Sequence, residues 1–223
     1  MHIVVGVGKE QKEWSLHRNL LIHHAPYFAD RVGNSNDIRS TPSHVELPED
    51  SSAAFEIFVK WLYQGVIDDV STMEMDKKWD YAFACQQLYH LCERLRLPQL
   101  KNAAIDQFRR GCHEAGLVPG PEEMVPVYMN TPKGSPFRKL VSRIAARQIM
   151  DPDEENDAST YRQCFVANAD FAIDVVNAIK AGAGAKLLQD PTELVGCEYH
   201  DHTDDSSCNL NARNFSPGSS ILK

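Results

Sequence analysis

The sequence has no apolar run long enough to cross a membrane, because charged residues interrupt its longest hydrophobic stretches. Its opening, Met1 to Gly6, also lacks the basic region and the apolar core of a secretory leader. Cysteine is scarce, with six in 223 residues, so disulfides are not needed to explain the fold. These absences predict a protein that stays inside the cell, in the cytoplasm or the nucleus.

Basic residues are too few for a protein that binds nucleic acid mainly through phosphate contacts. Lysine and arginine together number 23 against 31 aspartate and glutamate, which gives a formal net charge of -8. A surface of this sign repels the phosphate backbone. We therefore expect no nucleic-acid partner, and we expect no membrane partner because no spanning segment is predicted.

Motifs that carry catalysis are missing as well. The sequence contains neither a Gly-x-Ser-x-Gly elbow nor a His-Glu-x-x-His helix. The run from Gly6 to Lys9 is not a phosphate-binding loop, because such a loop needs glycine at the position of Ile3 and serine or threonine at that of Glu10. We therefore expect no catalytic residue, no enzyme activity and no cofactor.

Apolar periodicity predicts an α+β unit in the first half of the chain. Two short strands, Ile3 to Val7 and Trp14 to His17, form a hairpin, and His44 to Leu47 alternates as a third strand. We place the end of this unit near residue 113. The predicted helices are Asn19 to Ala29 with a break at Pro26, Ala54 to a stop at Gly65, Trp79 to Leu97, and Pro98 to Arg110 with a stop at Gly111; Gly33 to Ser43 is a predicted loop.

Beyond residue 113 the patterns predict helices without strands. We therefore divide the chain into residues 1–113, a helical extension over 114–189 and a polar, weakly ordered tail over 190–223. Lys139, Arg143 and Arg147 follow at four-residue spacing in the middle helix. This basic stripe is either a partner-binding face or a solvated row that the acidic residues 151–155 neutralise. The predicted helices of the extension are Pro121 to Met129, Ser135 to Met150 and Tyr161 to Lys180.

The tail contains four side chains with the chemistry of zinc ligands, Cys197, His200, His202 and Cys208. Two thiolates and two imidazoles can hold zinc tetrahedrally, although the spacing is not that of a standard finger. An unstructured polar segment is the expected interpretation. The alternative is a metal-binding protein, or a metal-dependent hydrolase that uses the two histidines.

Three blocks in the first half occur in the order and spacing of one known family. They are Trp14 to Leu21 followed by Ala25-Pro26-Tyr27-Phe28; Val45 to Asp50 with Phe55 to Gly65; and Leu88 to Leu100, which contains Leu95-x-Leu97-Pro98-x-Leu100. Together they resemble the BTB/POZ domain over residues 3 to 113. The residues of the second block most resemble those of the large BTB group of filamentous fungi.

The resemblance implies a BTB/POZ fold, in which helices pack on a small three-stranded sheet. In that fold Trp61, Leu62 and Tyr63 pin their helix onto the sheet through buried apolar area. His17 is then a structural histidine bonded to the backbone rather than a catalyst. The implied function is that of a non-enzymatic protein-interaction module, a scaffold or adaptor that recruits a partner protein.

The resemblance also bears on the partner. One alternative is a substrate adaptor for a cullin-type ubiquitin ligase, but cullin-binding relatives have a hydrophobic-x-Glu element before the third strand, and Asn34 to Ser43 contains no glutamate. The usual mode of cullin docking is therefore not expected. The chain also opens at the first core strand, without the helix and strand that build the family's swapped dimer. A monomer, a homodimer and a small-interface heteromer like that of elongin C all stay open.

Overall fold

A computed structural model describes residues 1–32, 44–182, 187–193 and 196–202 of the chain. The described residues form one sheet, nine α-helices and two 3₁₀ turns, and the predicted loop over 33–43 lies outside them. The strands are β1 (His2–Val5), β2 (Lys12–Ser15) and β3 (His44–Leu47), and the 3₁₀ turns are Gly8–Glu10 and Val70–Thr72. The helices are α1 (Arg18–His24), α2 (Pro26–Val32), α3 (Ser52–Gln64), α4 (Met75–Leu95), α5 (Pro98–Ala115), α6 (Pro121–Asn130), α7 (Pro136–Met150), α8 (Arg162–Ala167) and α9 (Ala169–Ala181).

The sheet is mixed, with the strand order β2-β1-β3. β1 pairs antiparallel with β2 and parallel with β3, so that Ile3 lies between Trp14 and Val45. Because side chains alternate along a strand, Val45 and Leu47 are buried while Glu46 faces solvent. The predicted hairpin and the predicted third strand are both confirmed.

Caps at both ends set the length of α3. The Ser51 hydroxyl accepts a hydrogen bond from Ala54 N at 3.3 Å, and Gly65 ends the helix in the left-handed conformation, with φ of 73°. Between these caps Phe55 and Phe58 are fully buried. The Phe55 ring packs on Trp14 of β2, with 4.8 Å between the ring centroids, and so fixes α3 on the sheet.

The three residues predicted to pin α3 onto the sheet differ in their environments. Leu62 is buried, and Trp61 is half-buried, with its ring 5.6 Å from that of His24. Tyr63 is 48% exposed, so its predicted place in the core is wrong. Consecutive side chains on a helix point about 100° apart. When Leu62 faces the interior, Tyr63 therefore faces solvent.

Helices α4 and α5 form an antiparallel hairpin. Arg96 ends α4 in the left-handed conformation, and Pro98 occupies the first turn of α5, as predicted. The predicted stop at Gly111 is wrong, because α5 continues to Ala115 and ends at Gly116, whose φ is 63°. Gly111 instead lies at the crossing with α4, where a Cβ would be 2.6 Å from the Cβ of Ala82.

The extension shares its hydrophobic interior with α4 and α5. Phe137, at the start of α7, packs edge-on against Tyr89 of α4 and Phe108 of α5, at ring-centroid distances of 4.8 and 4.9 Å. The Tyr89 hydroxyl lies 3.1 Å from the hydroxyl of Ser135, which caps α7 by accepting from Phe137 N. The start of α7 therefore packs against both α4 and α5. The division at residue 113 stays a prediction.

The helix predicted over Tyr161 to Lys180 is two helices in the structure. Asn168 is extended, with φ of -152°, and it ends α8 and caps α9 by accepting from Asp170 N at 2.9 Å. Asparagine favours such a cap because its side-chain oxygen replaces a missing backbone acceptor. No described helix combines the length with the apolar character that crossing a membrane requires.

We expect Gly111→Ala to destabilise the protein. Helix propensity alone favours alanine by about 1 kcal/mol, but the new Cβ would lie 2.6 Å from Ala82 Cβ and 3.2 Å from Lys78 O, and overpacking costs about 1–3 kcal/mol. Urea denaturation should show a net loss of about 1 kcal/mol in the free energy of unfolding. The control Gln99→Ala, on the exposed side of α5, should change it by less than about 0.5 kcal/mol. A variant more stable than wild type would contradict this close approach.

We expect Phe137→Ala to destabilise the first half and the extension together. The ring is fully buried between helices of both parts, and truncation of a buried phenylalanine costs about 3–5 kcal/mol. Denaturant unfolding followed by far-UV circular dichroism should show one transition at a lower midpoint. Val166→Ala, at a residue that is 83% exposed, is the control and should leave the midpoint unchanged. Two separate transitions in wild type would show that the parts unfold independently.

Candidate interaction surfaces

An open groove of about 630 Å³ runs along the outer sides of α3 and α4. We call it the α3–α4 groove. Its floor is partly apolar, since Ile57 and Ala84 lie there with their side chains largely buried. The residues around that floor are Ala53, Glu56, Val59, Lys60, Tyr63, Gln64, Asp68 and Tyr81.

Charged and hydroxyl groups of the α3–α4 groove are bonded to one another. Lys60 forms an ion pair with Asp68, and the Tyr81 hydroxyl donates to the backbone carbonyl of Asp68 at 3.0 Å. Glu56 pairs with Lys12 of β2, at 3.0 Å. Burial raises the pKa of Tyr81 well above its usual value, so the hydroxyl stays a donor at neutral pH. The groove thus offers an apolar floor between fixed charges of both signs.

Tyr63 lines this groove and is held by His17. The Tyr63 hydroxyl lies 2.8 Å from His17 Nδ1 and accepts from the His17 backbone N–H at 3.3 Å, and the two rings meet edge-on at 5.8 Å. The backbone partner predicted for His17 is therefore wrong, because its ring nitrogen bonds to a side chain. The two residues are far apart in the chain, so sequence spacing contains no signal for this pair.

A second cavity, of about 480 Å³, lies between α4, α6 and the residues that precede α3. We call it the polar cleft. Gln86 donates from Nε2 to the carbonyl of Glu123 at 2.7 Å and thereby ties α4 to α6. Asp50 and Arg94 form an ion pair in the wall of the cleft. Other lining residues are Glu49, Phe83, His90, Glu93, Pro126 and Asn130.

Residues 196–202 lie across α5 and α7, and we call them the 196–202 segment. Tyr199 is fully buried, with its ring centroid 5.0 Å from the guanidinium carbon of Arg109. Its hydroxyl accepts from Arg143 Nη1 at 3.1 Å. Burial raises the pKa of Tyr199, so the phenol stays neutral beside these cations. The tyrosine therefore anchors the segment to both helices.

Ion pairs and hydrogen bonds continue along the 196–202 segment. Asp201 accepts from Lys101 Nζ at 2.7 Å, and its backbone N–H donates to the side chain of Asn102 at 2.9 Å. His200 Nε2 lies 2.9 Å from Asp106 Oδ2. Four residues of α5, counting Arg109, thus contact a segment that was predicted as part of a weakly ordered tail. Residues 194, 195 and 203–223 of that tail lie outside the described residues.

The basic stripe of α7 is covered by the chain itself. Glu198 accepts from Arg143 Nη1 at 2.5 Å and lies 3.1 Å from Lys139 Nζ, while Arg147 donates to the carbonyl of Leu188. Burial alone would raise the pKa of the Glu198 carboxyl, but the two cations outweigh it and hold the pKa below its usual value. Glu198 thus pairs with two of the three cations of the stripe, and neutralisation by residues 151–155 stays a prediction.

The comparison with known families agrees with the strand order, the helix order and the sequence blocks. The BTB/POZ domain family matches residues 2–108. The chain carries a BTB/POZ domain. The match spans β1 to β3, α1 to α4 and most of α5, and it confirms the resemblance. No curated protein shows a significant match to the chain. BTB/POZ domains mediate protein–protein interactions, so the surfaces described above are candidate contact sites for a protein.

The four candidate zinc ligands of the tail do not gather in the described structure. His200 bonds to Asp106, the ring of His202 lies 5.8 Å from that of His200, and Cys208 lies outside the described residues. No three-ligand group among the described residues includes Cys197. The zinc hypothesis stays a prediction.

A different trio is brought together by the fold. His113 of α5 lies beside Asp190 and Glu193, with potential ligand atoms within 4.8 Å of one another. No spacing in the sequence indicates this group, because its members come from distant parts of the chain. His113 and Glu193 are exposed, and Asp190 Oδ1 already accepts from Thr192 N at 2.8 Å. We infer no metal site from it.

The buried cysteines of the chain are packing residues. Cys85, Cys92, Cys112 and Cys164 are free thiols in the interior. Burial raises the pKa of each, and that of Cys164 rises to about 11. A thiol must ionise to act as a nucleophile, so these four are unreactive at neutral pH.

We expect Tyr199→Ala to release the 196–202 segment without unfolding the BTB/POZ domain. Truncation of a large buried aromatic costs about 3–5 kcal/mol, and here it removes the ring that contacts Arg109 of α5 and Arg143 of α7. Hydrogen exchange followed by mass spectrometry should show faster exchange in residues 196–202 and unchanged exchange in α3. Tyr63→Ala, which truncates an exposed tyrosine, should leave exchange in the segment unchanged. An unchanged segment in Tyr199→Ala would rule out Tyr199 as the anchor.

Proposed function

We propose that the protein is a non-enzymatic adaptor or scaffold that recruits a partner protein, and that the partner docks in the α3–α4 groove. The observation that carries the proposal is the 48% exposure of Tyr63 in the wall of this groove. Tyrosine is enriched among the residues that dominate binding energy at interfaces. Because His17 already holds its hydroxyl, the Tyr63 ring loses little conformational freedom when a partner covers it.

The composition of the groove suits a protein surface. Its opening is wide, and its floor includes the apolar side chains of Ile57 and Ala84. The pair of Lys60 with Asp68 adds charges of both signs at the edge. Exposed ion pairs contribute little to stability, about 0.2–1 kcal/mol, but charges at a rim guide association and select among partners.

The buried thiols support both the non-enzymatic role and the intracellular location that belong to this proposal. All five cysteines among the described residues are free. Free thiols are typical of a reducing compartment. The four that are buried also lack the ionised form that covalent catalysis requires.

Recruitment of a cullin is a narrower version of the proposal. The element that cullin-binding relatives use precedes the third strand, and the corresponding residues 34–43 lie outside the described part of the chain. We therefore include a purified cullin N-terminal domain among the partner proteins that are tested for binding.

The proposal predicts that partner binding depends on Tyr63. Affinity capture from the native cell with the full-length chain should retain at least one protein that binds Tyr63→Ser about thirtyfold more weakly, because truncation of an anchor tyrosine costs about 2 kcal/mol. The matched control is Met129→Ser, at a residue that is 66% exposed and does not line the groove. It should capture the same proteins as wild type.

Identical capture by wild type and Tyr63→Ser would contradict docking in the α3–α4 groove. A purified cullin N-terminal domain that binds wild type and not Tyr63→Ser would support the ubiquitin-ligase version. Turnover of ester or phosphate substrates by the purified chain would contradict the non-enzymatic role.

A further inference from the structure

The 196–202 segment lies on a basic surface formed by α5 and α7, which we call the α5–α7 surface. It consists of the side chains of Lys101, Asn102, Asp106, Arg109, Lys139 and Arg143. Four of these side chains are cations, and within the described helices two carboxylates pair with them: Glu93 with Lys101, and Asp106 with Arg109. The helices thus leave two positive charges over, in a chain whose formal net charge is -8.

The segment supplies the two negative charges that balance this surface. Glu198 lies 3.1 Å from Lys139 Nζ and also pairs with Arg143, and Asp201 lies 2.7 Å from Lys101 Nζ. The spacing of the two carboxylates along the segment therefore matches the spacing of the cations on the surface. Complementary charges of this kind guide association and select among partners.

The α5–α7 surface also binds peptide backbone. The Asn102 side chain accepts from the Asp201 N–H at 2.9 Å and donates to the Asp201 carbonyl at 3.1 Å. Every residue except proline carries both of these backbone groups. The contact therefore does not require the sequence of this chain, and another extended segment that lies in the same place can make it.

Tyr199 fills a pocket that favours tyrosine. Its ring centroid lies 5.0 Å from the guanidinium carbon of Arg109, 5.7 Å from Lys139 Nζ and 5.8 Å from the guanidinium carbon of Arg143. Cations are attracted to the face of an aromatic ring, and the Tyr199 hydroxyl also accepts from Arg143 Nη1 at 3.1 Å. Phenylalanine lacks that acceptor, and an aliphatic side chain lacks the ring as well. Tyrosine therefore suits this pocket better than either.

The segment enters the surface at a glycine. Gly196 has φ of 130°, which other residues rarely adopt, and residues 196–202 belong to no helix or strand. The segment can therefore leave the surface without breaking a helix or the sheet. A ligand tethered in this way competes with a free one at an effective concentration on the order of millimolar.

We propose that the α5–α7 surface binds an acidic, tyrosine-containing segment of a partner protein, and that the 196–202 segment covers it until such a partner displaces it. The partner segment has a carboxylate directly before its tyrosine and a second carboxylate two residues after it, as Glu198 and Asp201 flank Tyr199. The inference rests on the proposed function in so far as the occupant is a protein. It concerns a different surface from the α3–α4 groove.

The test is calorimetric titration of the full-length chain with the peptide acetyl-Gly-Ser-Glu-Tyr-His-Asp-His-amide, which reproduces residues 196–202 with serine in place of Cys197. Tyr199→Ala, in which the segment is released, should bind the peptide with a Kd of about 100 μM. Wild type should bind it about tenfold more weakly, because a tethered competitor at about 1 mM has to be displaced.

Changes in the peptide and in the surface locate the contact. A peptide with alanine in place of tyrosine should bind Tyr199→Ala at least about tenfold more weakly, since it lacks the anchor. The double variant Tyr199→Ala/Arg143→Gln should bind the original peptide about tenfold more weakly than Tyr199→Ala does, because one cation of the surface is neutral. Tyr199→Ala/Arg162→Gln is the matched control at an exposed arginine of α8, and it should bind like Tyr199→Ala.

A measurement on wild type needs no substitution. At about 5 mM the tyrosine peptide should occupy most of the sites, given the effective concentration of about 1 mM for the tethered segment. Hydrogen exchange followed by mass spectrometry should then become faster in residues 196–202, and the serine of the peptide distinguishes it by mass from the protein's own segment. The alanine peptide should leave this exchange unchanged.

Several results would overturn the inference: no binding to Tyr199→Ala at 1 mM peptide together with unchanged exchange in wild type, equal affinity of wild type and Tyr199→Ala, or equal binding of the alanine peptide. A wild-type dimer that the peptide dissociates would assign the surface to the segment of a second copy instead. Tyr63→Ser separates this inference from the proposed function, since it should bind the peptide as wild type does. Capture that depends on Tyr63 with no peptide binding would refute the α5–α7 surface alone, and the reverse result would refute the groove alone.

Discussion

The close crossing of α4 and α5 is the contact on which the rest of the described structure depends. Gly111 permits it, because the Cβ of any other residue would meet Ala82. α4 of this pair packs against α3, and Tyr89 of α4 and Phe108 of α5 receive Phe137 of α7. Both the BTB/POZ domain and the extension therefore draw their buried area from the same two helices.

This shared interior decides which surfaces remain for partners. Phe137 of α7 packs against α4 and α5, and the 196–202 segment lies over polar residues of both α5 and α7. Tyr199 of this segment is fully buried beside the cations of Arg109 and Arg143. Two open surfaces of the described structure are the outer side of α3 with α4 and the cleft where α6 approaches α4. The first has an exposed tyrosine, and the second is lined by charged and amide side chains.

The local sequence pattern predicted most of the helices and strands. It failed where a residue has a structural role other than the one expected from its type. Pro26, Ser51, Gly65 and Pro98 act as the break, caps and first turn that their chemistry indicates. Gly111 was expected to end a helix because glycine often does, yet its missing side chain serves the crossing of two helices. Asn168 was expected inside a helix, but it caps the next one. A residue type limits the available roles, and its neighbours in space select one.

The sequence by itself determined the BTB/POZ domain and the order of the strands and helices within it, because these follow from short-range periodicity, capping residues and the three blocks. Only the tertiary structure decided that Tyr63 faces solvent and bonds to His17, that Glu198 pairs with Lys139 and Arg143 of the basic stripe, and that Gln86, His90 and Arg94 line one cleft. The pairs of Tyr63 with His17 and of Glu198 with α7 join residues that are distant in the chain. Gln86, His90 and Arg94 share one face of α4, but the cleft exists only because α6 and the residues before α3 approach that face. Such contacts depend on how the helices pack, and no spacing along a single chain specifies that packing.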